Sequence, residues 1–272
     1  MAEIFIRHSN QEELKGIPDT VYKYRNWADE YHKTILTSQI VFLARPTSFE
    51  DPLDCKLLKR YDLLTHEQIY NKYLQSSKED HPNWSMQQHD EFAREWFNKS
   101  PLHDKEYIKK LQQEHFLDFD DRFGVLSLTA NPSNFAMWDK YSDHHKGFCV
   151  GFNAHKMFQH LGGGGEVMYF DKLPDILPFD NVETEHTIQV FSKEKKWEFE
   201  QEYRTQKFYP QPVTNAERQI KLPADCYTEI IFGAELTDKQ QEEIKAVCND
   251  QKLNVTYFIE TVDYDKQTVS IQ

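Results

Sequence analysis

Two segments concentrate the residues able to do chemistry: Phe135-Ala-Met-Trp-Asp-Lys-Tyr-Ser-Asp-His-His-Lys-Gly147 and Lys193-Glu-Lys-Lys-Trp-Glu-Phe-Glu-Gln-Glu-Tyr-Arg204. Each mixes aromatic rings, carboxylates and cations. Rings that exclude water, set beside groups that carry charge, can build an amphipathic pocket that orients a small ligand. Read as an extended strand, residues 198–209 put Glu198, Glu200, Glu202 and Arg204 on one side and Trp197, Phe199 and Tyr203 on the other. Three carboxylates in a row repel one another, so at least one needs a cationic partner or a raised pKa, and Lys193 or Arg204 can supply the cation. A charged ladder on a solvent-facing strand accounts for the three glutamates almost equally well. Glu202 is the stronger candidate, because Tyr203 and Arg204 beside it also orient ligands.

The first segment divides in the same way. Met137, Trp138 and Tyr141 share helical spacing, which a packed face explains. His144 and Lys146 fall near the helix C-terminus, where cations suit the dipole, and Gly147 is the usual stop. That account leaves His145 as the candidate for a site. Elsewhere Asp51 and Asp54, in Phe49-Glu-Asp-Pro-Leu-Asp54, can bind a metal or cap their own turn, and the capped turn is the commoner case. No metal is expected, since H-E-x-x-H is missing and the histidines show no ligand spacing. Neither a hydrolase G-x-S-x-G nor a dinucleotide-binding G-x-G-x-x-G occurs. The run Gly162–Gly165 lacks the Lys-Ser/Thr of a phosphate loop and reads as a turn.

These residues need elements to hold them. Val21–Arg25 alternates as a strand, and Trp27, Tyr31 and Ile35 recur as one face of a helix. Ile40–Ala44 is a continuous apolar run that suits a strand buried on both faces. Thr65-x-x-Gln68 and Ser85-x-x-Gln88 are capping boxes and Asp104 a cap, so residues 61–120 read as a helical insertion without strands. After it strands dominate: residues 123–128, 147–152, 166–170, 229–232, 254–262 and 268–271, with Thr237-x-x-Gln240 capping a late helix. The expectation is a single α+β domain with a central mixed, largely antiparallel sheet.

Composition bounds the function. A chain of 272 residues with 39% hydrophobic and 14% aromatic residues can bury a sizeable core. Its net charge of −13 argues against coating nucleic acid or an anionic membrane, although nucleic acid stays open as the acceptor of a transferred group. Cys55, Cys149, Cys226 and Cys248 are scattered, without C-x-x-C, which points to a reducing cytoplasm. The opening Met-Ala-Glu-Ile-Phe-Ile-Arg-His shows no secretory pattern, and no apolar run is long enough to span a bilayer.

The motifs Tyr22-Lys-Tyr-Arg25, Pro46-Thr-Ser-Phe-Glu-Asp-Pro-Leu-Asp54, Met137-Trp-x-x-Tyr141 with His145-Lys-Gly147, and Lys193-x-x-x-Trp197-x-x-Glu200-x-Glu202-Tyr-Arg204 resemble, in order, a bacterial family of unknown function, domain of unknown function 2971. Glu50 departs from it, since the family more often has asparagine there. More loosely, an early polar and aromatic strand, a helix, a buried strand and a late carboxylate resemble the layout of ADP-ribosyltransferases. That resemblance implies NAD as substrate, with Glu202 in the glutamate role and Arg25 or Tyr24 at the nucleotide. It also implies Trp138 or Tyr141 stacked on a ring, and a place in bacterial toxin or phage-defence systems. The combined expectation is a site of Glu202 and His145 as catalytic residues, with Tyr22, Tyr24, Arg25, Asp51, Trp138, Tyr141, Lys193, Glu200 and Arg204 binding a small molecule or nucleotide. A non-catalytic sensor or protein-interaction module is the alternative.

Overall fold

The computed structural model describes residues 16–179 and 181–272, so the reading of the opening eight residues lies outside it. The chain enters as strand β1 (Thr20–Arg25), helix α1 (Glu30–Thr37) and strand β2 (Ile40–Phe42). Asp29 fixes the start of α1 by accepting from the amides of Tyr31 and His32. That cap sets the helical phase and corrects the expected face. Trp27 precedes the helix and is buried, Tyr31 is 85% exposed, and Ile35 with Leu36 make the inner side. The apolar run after it is not a doubly covered strand either. Among the described residues β2 pairs only with the short β9 (Gln219–Lys221), and Phe42 reaches solvent.

Helices α2 (His66–Asp80), α3 (Met86–Asn98) and α4 (Lys105–Arg122) follow, as the caps predict. Thr65 and Ser85 close reciprocal capping boxes with Gln68 and Gln88. α2 and α3 bury Ile69 and Ala93, and Ser77 Oγ meets His89 Nδ1 at 2.8 Å. Tyr73 of α2 donates to Ser100, just past the end of α3, at 3.0 Å, while the Tyr61–His115 pair, also 3.0 Å, ties α4 to the turn over Tyr61–Leu63.

The rest is β3 (Phe123–Thr129), α5 (Phe135–Tyr141), β4 (Phe148–Asn153), α6 (Ala154–Leu161), β5 (Gly165–Glu166), β6 (Met168–Phe170), α7 (Val182–Phe191), β7 (Ser192–Glu194) and β8 (Glu202–Phe208). After β9 come β10 (Tyr227–Phe232), α8 (Asp238–Asp250), β11 (Thr256–Asp263) and β12 (Thr268–Ile271). The eight-stranded sheet runs β12-β11-β10-β4-β1-β3-β8-β5. Only its β10–β11 neighbours are parallel, so the fold is α+β with a mixed, largely antiparallel sheet. One face carries the main core, in which Val21, Phe148, Phe152, Ile230 and Phe232 meet Leu36, Phe158 and Ile244 of α1, α6 and α8. On the other face α5 lays Met137 and Trp138 over Tyr24, Cys149 and Ile231.

The sheet has a split at its middle. β1 is fully paired with β4 from Thr20 to Arg25, and β3 with β8 from Phe123 to Thr129. Between β1 and β3 the ladder holds a single register pair, Tyr22 with Thr129. Beyond it the strands diverge, and the Lys23 amine donates to the Ser127 carbonyl at 2.5 Å, where a backbone amide would normally stand.

Candidate active site

The gap between β1 and β3 is a cavity of about 420 Å³. Both alternations of β1 line it, Tyr22 and Tyr24 as well as Lys23 and Arg25, and so do Val125 through Leu128 of β3. Side chains of opposite strand faces can share one wall only where the sheet has parted. His32, Phe42, Ala44 and Phe49 close one side, and Met137, Lys140 and Tyr141 of α5 the other.

At the β8 end stands a buried cluster of Asp54, Lys193, Glu200, Glu202 and Arg204. Gln201, in the left-handed conformation with φ 43°, ends a 3-10 turn over Lys195–Glu200 and starts β8 at Glu202. The expected extended ladder from Glu198 is therefore corrected: only Glu202 and Arg204 share a strand face. Arg204 holds Glu202 with two bonds, Nε to Oε1 at 2.7 Å and Nη2 to Oε2 at 2.9 Å. It also meets Asp54 at 2.8 Å, donates to the Val190 carbonyl at 2.6 Å, and is wholly inaccessible. Lys193 Nζ lies 2.5 Å from Glu200, 2.9 Å from Glu202 and 3.5 Å from Asp54. Tyr141 donates to Glu200 at 3.0 Å.

Electrostatics follow from this wiring. Burial alone would raise the Glu202 pKa, but the Arg204 and Lys193 charges overcome it and bring it down to about 2. Burial likewise works against the Lys193 ammonium, yet Glu202 and Asp54 leave its pKa raised. Burial pushes the Tyr141 phenol up to about 12, helped by Glu200. Three carboxylates face two cations, so the cluster carries one net negative charge when all are ionised. The β1 end is opposite in sign. Lys23, Arg25 and His32 line the cavity there, and none has an ion-pair partner among the described residues. Burial first, then the neighbouring Arg25 charge, lower Lys23 to about 7; burial lowers Arg25 to about 10.

Of the residues expected at the site, Tyr22, Tyr24, Arg25, Asp51, Tyr141, Lys193, Glu200 and Glu202 border the cavity. Two of these carry other duties: the Tyr24 hydroxyl is tied to the Asn131 carbonyl at 2.7 Å, and the Asp51 carboxylate both caps its turn at Leu53 and accepts from Trp197 Nε1 at 2.5 Å. Arg204 does not border it and stands behind Glu202 as a positioning residue. Trp138 is also placed elsewhere: fully buried, edge-on to Tyr24 at 5.0 Å, with Nε1 donating to the Pro132 carbonyl, it is a packing residue. His145 is the clearest correction. It is buried with its Nδ1 2.6 Å from Glu260 of β11, under Phe135 and Tyr264, and does not reach the cavity. Asp143, His144 and His145 all have positive φ, 56°, 57° and 64°, a left-handed turn that swings this ring away from Tyr141.

Sequence reasoning passed over Lys23, His32, Lys140 and Trp197 as lining residues, and Asp54 as part of the buried network. For Lys23 only a partial signal exists: strand alternation puts it on the same face of β1 as the buried Val21. Lys140 was hidden because its partners come from afar. It lies 2.9 Å from Glu50 and 5.1 Å from the Trp197 ring centre.

Among known families, a protein family of unknown function, DUF2971, matches residues 137–205, the family that the motifs resemble. The matched stretch runs from α5 to β8 and carries Tyr141, Lys193, Glu200, Glu202 and Arg204, but neither β1 nor the loop with Asp51 and Asp54. No curated protein and no solved structure matches the chain. Among the described residues no group of three or more His, Cys, Asp or Glu could hold a metal ion, and no helix is long and apolar enough to cross a membrane.

Proposed function

We propose that the cavity binds NAD and that the protein cleaves its nicotinamide–ribose bond, transferring ADP-ribose to an acceptor or to water. The observation that carries this reading is the polarity of the slot: the Arg25 guanidinium, without an ion-pair partner among the described residues, beside the hydrogen-bonding Lys23 amine, and a buried cluster of net charge −1 around Glu202. A dinucleotide has the same asymmetry, with an anionic pyrophosphate and a ribose that gains positive charge as the bond breaks. The electron pair of that bond leaves with nicotinamide. Glu202, ionised at any physiological pH, stabilises the developing cation, and the attacking water, hydroxyl or amine gives up a proton as it bonds to the ribose carbon. The rings of Tyr141 and Trp197 supply faces for a planar base. The setting we assign is the bacterial cytoplasm, in a toxin or phage-defence role.

The test is nicotinamide release from NAD by the purified protein, with protein and nucleic acid offered as acceptors. Glu202→Gln keeps two carboxylates against two cations, so the variant folds, and turnover drops by about 10²-fold or more. Equal turnover in the variant removes Glu202 from the mechanism. A second reading, a ligand-binding sensor without chemistry, is favoured by one fact: both Glu202 oxygens are already held by Arg204 and Lys193. It predicts binding without nicotinamide release, and a change in affinity alone for Glu202→Gln.

A further inference from the structure

The cavity holds two lysines with opposite surroundings. Lys193 is enclosed by Asp54, Glu200 and Glu202, all within 3.5 Å, and is fixed as an ammonium. Lys23 projects from the centre of β1 into the split, donates one hydrogen bond to the Ser127 carbonyl, and has no carboxylate within ion-pair distance among the described residues. Its nearest charged company on the same strand is Arg25, a like charge, with His32 of α1 beside them. His32 accepts from the Asn26 amide through Nδ1, which leaves that nitrogen without a proton. Across the slot Glu200, Glu202 and Lys193 also face Lys23, and burial outweighs the two glutamates. A buried lysine beside a like charge, with no carboxylate on it, exists in substantial part as the free amine near neutral pH, the form whose electron pair attacks carbonyl carbon.

We infer that Lys23 is a reactive amine that captures a small anionic aldehyde or ketone as an imine. The Nζ pair adds to the carbonyl carbon, and the carbonyl oxygen takes up a proton to give a carbinolamine. One of the two amine protons is thus accounted for on that oxygen; loss of the hydroxyl with the single amine proton that remains releases one water and leaves a carbon–nitrogen double bond. No oxidant or reductant is consumed. The anionic group of the ligand is held by Arg25, whose only described bond is to the Tyr24 carbonyl, 3.2 Å away. This assignment goes beyond NAD cleavage: it draws on the same slot and on Arg25, and its test reads lysine labelling instead of nicotinamide release.

The experiment treats the full chain with pyridoxal 5′-phosphate and, separately, with uncharged pyridoxal, each with cyanoborohydride to reduce any imine, and maps the modified lysines by mass spectrometry. The phosphorylated aldehyde labels Lys23 at least tenfold faster than the other lysines at pH 7. The Lys23 rate levels off above neutrality, while the rates at exposed lysines still climb towards pH 10. Lys23→Arg abolishes that one adduct and leaves the others, which shows that the fold persists. Arg25→Ala slows labelling of Lys23 by the phosphorylated aldehyde about tenfold and leaves labelling by pyridoxal in place. Labelling of Lys23 at the rate of surface lysines, or a rate that rises to pH 10 with theirs, overturns the assignment. Equal labelling by both aldehydes, unaffected by Arg25→Ala, overturns the anion requirement.

Discussion

The cluster around Glu202 and the His145–Glu260 pair are both nearly closed to solvent, yet they are built on opposite plans. In the first, every carboxylate meets at least one cation, and the whole borders a cavity. In the second, a single contact joins two residues under aromatic rings, and His145 Nε2 has no hydrogen-bond partner among the described residues. The two glutamates respond in opposite directions: Glu202 is depressed by Arg204 and Lys193, whereas burial raises Glu260 despite its bonds to His145 and the Ala234 amide. Burial alone therefore does not mark a site. What separates the two is surplus charge beside open space. The Glu202 cluster has both, while the His145 pair fastens the left-handed turn between α5 and β4 to β11.

The largest effect expected is that of Arg204→Met, which leaves Glu202 and Asp54 buried with only Lys193 between them and costs about 3–5 kcal/mol in urea unfolding. A smaller loss would mean that Lys193 or water compensates, and that the cluster is less closed than its geometry. Acid separates the regions next. Glu202 has a folded pKa below its unfolded one, so its contribution is complete above about pH 5 and is lost as pH falls towards 2. Relative to Glu202→Gln, wild type should lose about 2–3 kcal/mol over that window. A flat difference would contradict the ion pairing. Glu260→Gln should cost about 1–3 kcal/mol and leave ligand affinity in the slot unchanged; altered affinity would join the two regions functionally. Smallest of all is the coupling. A double-mutant cycle of Lys193→Met with His145→Phe should give an interaction below about 0.5 kcal/mol, because the residues share no partner.

Much of the frame could be read from residue order. The capping boxes at Thr65, Ser85 and Thr237 are local devices, and each starts its helix where the pattern says. Local signals failed where a long-range partner decides. Glu200 belongs to the cluster because Lys193 folds back across a 3-10 turn that strand alternation from Trp197 could not anticipate. Tyr141 and His145 stand four residues apart in one motif, yet the turn at Asp143 sends them to different places. Lys23 escaped notice for a further reason: its setting depends on a missing ladder between β1 and β3, and no residue type announces an unpaired strand edge inside a sheet.

That parted ladder also sets a clock. The middle strands of a sheet ordinarily hold the amide protons slowest to exchange with solvent. Here the gap lies at the centre of eight strands, so amides pointing into it from 23–25 and 126–128 should exchange early, between slow neighbours on β4 and β8. A ligand seated in the slot would slow that stripe and leave the flanking strands as they were.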